Sequence, residues 1–180
     1  MGADKRRIGM TTILAATAGL ALAGPMTASA LDMQLQIPGI SGDKTPIPVL
    51  SWSWGASNPI APLGSGAGAG KINVADASFT HQFDASSSAI LQTLLTGKHV
   101  PQVTLSVYSG SNGTLPRILL FRVLLDEVFF TSMTNGMSVD DQRPNEQISM
   151  AFSKITVKEI RNRSETTTAC FDVAANASCL

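Results

Sequence analysis

The hexapeptide Gln-Val-Thr-Leu-Ser-Val, residues 102–107, alternates polar and apolar side chains at every step. Successive side chains of a β-strand point to opposite faces, so this alternation predicts a strand with one buried and one wet face. The same period recurs at 33–37 (MQLQI) and at 148–153 (ISMAFS). Three separate segments of this kind indicate a mainly β protein.

Three other segments do not follow this alternation. Residues 118–130 are almost continuously apolar, and we expect a long strand that is buried on both faces for part of its length. Residues 90–95 place apolar side chains at helical spacing, between N-cap candidates at 84–87 and a stop at Gly97. The polar run 164–168 predicts a connector. Many strands and one short helix predict a small β-barrel or sandwich.

The composition favours a single folded domain. The chain has 180 residues, with 13 basic and 13 acidic side chains, 44% hydrophobic residues and 14% charged residues. A net charge of zero argues against a nucleic-acid partner, and the charged fraction of only 14% argues against disorder. We expect residues 31–180 to form this domain.

The first 30 residues have the order of a secretory signal peptide. Lys5-Arg6-Arg7 precede an apolar run over 8–23, and the small-residue triplet Ala28-Ser29-Ala30 follows. This order predicts cleavage between Ala30 and Leu31, by the general or the twin-arginine route. The alternative is a membrane anchor, for which the apolar run is short, since a span needs about 20 residues. We expect a secreted protein, extracellular or periplasmic, with no membrane contact after cleavage.

Residues 45–70 carry no charge and end in a run of alternating glycines. Gly70-Lys71 resembles the end of a phosphate loop, but Ser65 and Ile72 stand where that motif needs Gly and a hydroxyl. A strand pattern follows where a helix should begin, so we expect no nucleotide and no other cofactor. Long uncharged loops and open sheet edges favour association, and a head-to-tail interface that closes gives a ring. We therefore predict that this loop lies at a subunit interface formed by Gly55, Gly64, Gly66, Gly68, Gly70 and Lys71.

No residue pattern indicates a catalytic or metal site. His81 and His99 are the only histidines, and neither has the neighbours of a hydrolytic triad or the spacing of zinc ligands. We expect structural or exposed roles for both. Asp140-Asp141 with Glu146 lack the calcium-loop spacing and predict a solvated turn.

Two pairs of residues, one of tryptophans and one of cysteines, need an interpretation, and the tryptophans allow both a structural and a functional one. Trp52 and Trp54 lie two apart on one strand face beside Leu50, so we expect a core pair. If they were exposed they would form a stacking platform, and the protein would be an extracellular β-barrel binding module for a glycan or a peptide. Cys170 and Cys179 are the only cysteines, and in an exported protein they predict a disulfide.

Together these segments resemble the haemolysin-coregulated protein (Hcp) family, the tube protein of type VI secretion. The most specific elements are Leu50-Ser51-Trp52-Ser53-Trp54-Gly55 and Gly97-Lys98-His99. Further matching stretches cover most of the chain after residue 31, at 32–42, 70–80, 84–86, 125–132, 146–152 and 171–176.

The resemblance implies a β-barrel of two sheets with one short flanking α-helix. It also implies a homohexameric ring, rings that stack into a tube, small protein effectors in the lumen, and no enzymatic activity. The signal peptide and the cysteine pair depart from the family, whose tube proteins leave the cytoplasm through their own machine. The sequence therefore suits either a tube component or a secreted relative that forms free rings.

Overall fold

The computed structural model describes residues 31–41, 45–59, 71–109, 117–161 and 164–180. The predicted signal peptide and four of the predicted interface glycines, Gly64, Gly66, Gly68 and Gly70, lie outside these residues. Within them the chain forms one helix and twelve strands. These are β1 (Asp32–Gln36), β2 (Ile47–Val49), β3 (Ser51–Ser53), β4 (Ala56–Ser57), β5 (Asn73–Val74), β6 (Ala77–Gln82), α1 (Ser87–Leu95), β7 (Val100–Ser109), β8 (Ile118–Gly136), β9 (Asn145–Ala151), β10 (Lys154–Arg161), β11 (Ser164–Asp172) and β12 (Ala177–Ser178).

Strand β8 belongs to two layers. Its first part pairs with β7 and β10, within the strand order β12-β11-β10-β8-β7-β1-β2. Its last part pairs with β9, which continues to β6 and β3. All these pairs are antiparallel. The prediction of a mainly β fold of two sheets with one short helix is confirmed.

The two layers do not close into a continuous hydrogen-bonded barrel. β2 pairs with β1 and β3 pairs with β6, and the chain changes layer at Leu50, whose N–H donates to the carbonyl of Thr80 at 2.7 Å. A second change of layer falls on β8, where the pairing with β9 shifts register between Phe130 and Ser132. Bends and bulges of this kind let one strand serve two packed sheets. The predicted barrel is thus two sheets joined at such corners.

The inward face of each layer forms the core. Val103, Leu105 and Val107 are buried, as the alternation at 102–107 predicts. Leu35, Ile148 and Met150 from the other two alternating segments are also buried. The remaining core comes mainly from β6, β8 and α1, with Phe79, Val123, Leu125, Val128, Phe130 and Ile90.

The expectation that residues 118–130 are buried on both faces for part of their length is not confirmed, because the outer face of β8 is half-buried at most. The burial pattern of β8 alternates, with Val123 and Leu125 inside, while Leu120 and Phe129 are large side chains left exposed. Glu127 has a positive φ of 53°, and the alternation of buried side chains changes phase there, since Leu125 and Val128 are both buried while the pairing with β7 keeps its register. The continuous apolar run therefore combines a core face with an uncovered outer face.

The polar run 164–168 is also not a connector. It is the first half of β11, which pairs with β10 from Ser164 to Asp172. Its side chains are exposed, so that no apolar alternation marks this strand in the sequence. Thr166 to Thr168 supply the β-branched side chains that favour extended backbone.

Helix α1 begins and ends close to the predicted positions. Its N-cap, Ser86, makes no side-chain cap hydrogen bond, and Asp84 instead accepts a hydrogen bond from the Ser86 N–H at 2.7 Å. Gly97, just after the C-cap, has φ of +61°, a conformation that glycine adopts without strain. α1 is nine residues long, and no helix among the described ranges is long and apolar enough to cross a membrane.

Candidate functional site

The ends of the long uncharged loop are held together by a separate ribbon of two strands. β4 and β5 pair antiparallel, with Ala56 opposite Val74 and Ser57 opposite Asn73, and they pair with no other described strand. The N–H of Ala75 donates to the carbonyl of Gly55 at 2.9 Å and extends the ribbon toward the body. We call residues 55–59 and 71–75 the arm. Of the predicted interface residues, the half-buried Gly55 and the exposed Lys71 lie on it.

An apolar cleft of about 250 Å³ separates the arm from the hairpin of β10 and β11. The arm side is formed by Ala56, Ile72 and Val74, and Trp54 lies at the same cleft. The hairpin side is formed by Ile155, Val157, Ala169, Cys170 and Phe171. The wall of the cleft is almost entirely apolar and is open to solvent on the outside of the domain.

The C-terminal tail is attached to β11 beside this cleft. Phe171 pairs with Ser178 and Asp172 with Ala177, and a disulfide joins Cys170 to Cys179, whose Cα atoms are 5.1 Å apart. The carboxylate of Asp172 accepts a hydrogen bond from the Ala175 N–H at 2.7 Å within the intervening turn.

The same turn contacts the arm. The side-chain Oδ1 of Asn176 accepts a hydrogen bond from the N–H of Ile72 at 2.9 Å. Asn176 has φ of 51°, in the left-handed region that Asn adopts more readily than most residues. The tail therefore connects the base of the arm to the β10–β11 hairpin.

The two tryptophans have different environments. Trp52 is half-buried and packs against the core, whereas Trp54 is 42% exposed at the cleft. The predicted core pair is therefore correct for Trp52 alone, because β3 ends at Ser53 and Trp54 no longer alternates with it. The two indoles do not form a shared exposed platform.

The two histidines also differ. His81 is fully buried, and its Nε2 lies 3.1 Å from Oε2 of Glu146, which is itself buried. Asn135 donates a hydrogen bond to the other carboxylate oxygen of Glu146 at 2.9 Å. His99 is half-buried beside Glu127 and lies against the ring of Phe129, with ring centroids 5.5 Å apart. The His81 cluster links β6, β9 and β8 in one layer.

Asp140 and Asp141 lie in the turn after β8, where the Asp141 carboxylate accepts a hydrogen bond from the Ser138 N–H at 2.8 Å. Glu146 faces His81 in the interior. Among the described side chains no group of three or more His, Cys, Asp or Glu could hold a metal ion.

Charged side chains on the outer face of the larger layer neutralise one another. Arg117 pairs with Asp32 at 2.9 Å and lies over the ring of Tyr108, and Arg122 pairs with Glu165. This pairing leaves no concentrated basic surface at these positions.

One carboxylate of this face has a shifted pKa. Burial raises the pKa of Asp126, but hydrogen bonds from Gln102 at 2.6 Å and Lys154 at 2.9 Å, with the charge of Lys154, hold it below its usual value. The pKa of Lys154 is raised in turn, first by its hydrogen bond to Asp126. These three side chains join β7, β8 and β10.

Sequence comparison places the chain beside secretion proteins. A family model described as a type VI secretion system effector, Hcp, matches residues 35–158. The chain is 35% identical over 135 residues to Protein hcp1 of Pseudomonas aeruginosa, an alignment that covers 71% of this chain and 82% of that protein.

Solved structures have the same fold. A type VI secretion system effector from Yersinia pestis aligns with a TM-score of 0.60 at 28% identity, covering 79% of this chain and 100% of that one. Hcp1 from Salmonella typhimurium aligns with a TM-score of 0.65 at 23% identity, covering 83% of this chain and 99% of that one. At the latter identity the similarity concerns the fold alone.

Proposed function

This chain belongs to the Hcp family of type VI secretion, and from that membership we propose that it is a non-catalytic protein that assembles into exported homohexameric rings. The rings stack and enclose a lumen that takes small protein effectors. The mature protein acts outside the cytoplasm, after removal of residues 1–30 by cleavage between Ala30 and Leu31.

The observation that carries the proposal is the arm. It is a two-stranded ribbon with no further strand partner among the described residues, and an apolar cleft lies beside it. A two-stranded ribbon is marginally stable alone in water, so a partner that covers it would stabilise it. Gly55 and Lys71 would then lie at the subunit interface, together with the glycines at 64, 66, 68 and 70.

The outer face of β8 supports the same conclusion. Leu120 is exposed, and Phe129 is 46% exposed on the other part of the strand. A contiguous exposed apolar patch is typical of an interaction site, and Ile118, two residues before Leu120, is exposed as well. The arm and the apolar face of β8 are unlike surfaces, and unlike surfaces that meet head to tail form a ring when the rotation between subunits closes.

The glycan- or peptide-binding alternative is not supported. A stacking platform requires two exposed rings, and Trp52 packs against the core. A non-catalytic role fits the burial of His81, which is withdrawn from solvent and paired with Glu146.

Multi-angle light scattering on the exported form, expressed from the full chain, tests the proposal. We expect a six-subunit mass, and deletion of residues 64–70 should shift that mass toward the monomer while far-UV circular dichroism stays unchanged. A control with Ala67→Ser and Ala69→Ser keeps the loop length and should assemble as the parent does. A monodisperse monomer at high concentration would remove the ring proposal.

A further inference from the structure

The arm and the C-terminal tail are joined by one hydrogen bond between residues far apart in sequence. The Ile72 N–H donates to Asn176 Oδ1 at 2.9 Å, across a separation of 104 residues. Ile72 directly precedes β5 and lines the apolar cleft together with Cys170. A change in the position of Asn176 would therefore change a contact at the base of the arm.

The start of the tail is anchored by Val173, which packs against the core and whose N–H donates to the carbonyl of Ser153 at 2.8 Å, but the end of the tail beyond Asn176 has few contacts. β12 is two residues long and exposed, and it forms the edge of its sheet. The N–H of Cys179 donates to the carbonyl of Cys170 at 3.2 Å, and the disulfide between the same residues closes the loop covalently. A pairing of two residues is weak by itself, so the covalent bond decides whether the loop stays closed.

We propose that the Cys170–Cys179 disulfide is a redox latch that fixes the arm for assembly; this rests on the ring-forming function proposed above. In the oxidised chain Asn176 holds Ile72, and the arm meets its partner subunit already ordered. In the reduced chain the tail opens, so the arm is not ordered in advance. It then loses conformational entropy when it binds its partner subunit. Preordering of this kind strengthens association, because less entropy is lost on binding.

The oxidation step is an ordinary thiol–disulfide exchange. The two cysteine thiols lose two electrons and two protons as their S–S bond forms. An oxidised dithiol catalyst or glutathione disulfide accepts them, and its own S–S bond becomes two thiols. Such oxidants act outside the reducing cytoplasm, so the latch would delay assembly until the chain has been exported.

Hydrogen–deuterium exchange at the Ile72 amide tests the latch independently of assembly. Closing a loop as short as 170–179 changes the opening equilibrium by about 100-fold in the chain-entropy model. We expect exchange at Ile72 to accelerate by up to about 100-fold on reduction, or in the double variant Cys170→Ser/Cys179→Ser, while amides of β7 keep their protection.

A pair of variants at one position isolates the hydrogen bond. Asn176→Asp keeps an acceptor oxygen and tolerates the positive φ, so the Ile72 amide should stay protected. Asn176→Gly also tolerates that φ but has no acceptor, so the amide should exchange rapidly even with the disulfide closed.

Light scattering on the same samples tests the coupling to assembly. We expect oxidised chain and Asn176→Asp to form rings at lower concentration than reduced chain and Asn176→Gly. Equal Ile72 exchange in oxidised and reduced chain would overturn the latch, whether or not rings form. Altered exchange with identical ring stability would overturn the coupling, and a monomer in every state would refute the ring-forming function itself.

Discussion

The buried pair of His81 and Glu146 offers a direct test of how the smaller layer is held together. Both side chains are essentially inaccessible, and Nε2 and Oε2 lie 3.1 Å apart. Replacing His81 with Leu leaves the Glu146 carboxylate buried with only the hydrogen bond from Asn135, 2.9 Å long. Replacing Glu146 with Met removes the partner of His81 and of Asn135 together.

The size of the loss follows from these contacts. Leaving a buried polar group without its partner costs about 1–3 kcal/mol, and more where the group is charged. We expect about 2 kcal/mol for His81→Leu, since one hydrogen bond to Glu146 survives, and about 3 kcal/mol for Glu146→Met, since two groups lose their partner. The double variant His81→Leu/Glu146→Met leaves only Asn135 unpaired and should lie within about 2 kcal/mol of the parent.

Urea unfolding followed by tryptophan fluorescence gives the three free energies, because Trp52 is partly buried in the folded state. Gln147→Met serves as a control, since it makes a similar change on the exposed side of the same strand and should alter stability by less than about 0.5 kcal/mol. Losses in the two single variants that simply add in the double variant would refute the pairing. Single variants as stable as the control would refute it as well.

Two further predictions concern pH and processing. The lowered pKa of Asp126 and the raised pKa of Lys154 mean that their pairing stabilises the fold above the unfolded carboxyl pKa of about 3.9 and below the unfolded amine pKa of about 10.4. Asp126→Asn should therefore be less stable than the parent near neutral pH, and the two should converge as pH falls through the Asp126 pKa or rises through that of Lys154. Urea midpoints across pH measure this, and a gap that stays constant as pH falls below the unfolded carboxyl pKa of about 3.9 would contradict it. Mass spectrometry of the exported protein should find Leu31 at the N-terminus, and an N-terminus at Met1 or Gly2 would reject the cleavage site.

The sequence predicts those strands in which side chains alternate between the core and the solvent. The segment at 102–107 lies in β7, and those at 33–37 and 148–153 overlap the ends of β1 and β9, because each has one face in the core and one outside. The last six residues of β8, Thr131 to Gly136, and the first half of β11 escape prediction. Their side chains are mostly exposed and polar, so only hydrogen bonding to β9 and β10 makes them strands.

The candidate site is predicted in outline and missed in detail. An uncharged loop bounded by Gly55 and Lys71 is visible in the sequence. The hydrogen bond from Ile72 to Asn176 and the contact of His81 with Glu146 depend on the register of strands that are distant along the chain. No local pattern encodes such a register, and only the pairing of β6 with β9 identifies Glu146 as the partner of His81.

The long strand β8 also determines how this domain can come apart. Its 19 residues hydrogen-bond to β7, β10 and β9, so both layers share one continuous piece of backbone. A load applied to the C-terminal hairpin would pass through β10 into β8 and reach both layers at once, as shear along the strands. Neither layer can peel away while the other stays folded, because each would take half of the same strand with it. A subunit built in this way should therefore yield to force as a whole rather than one layer at a time.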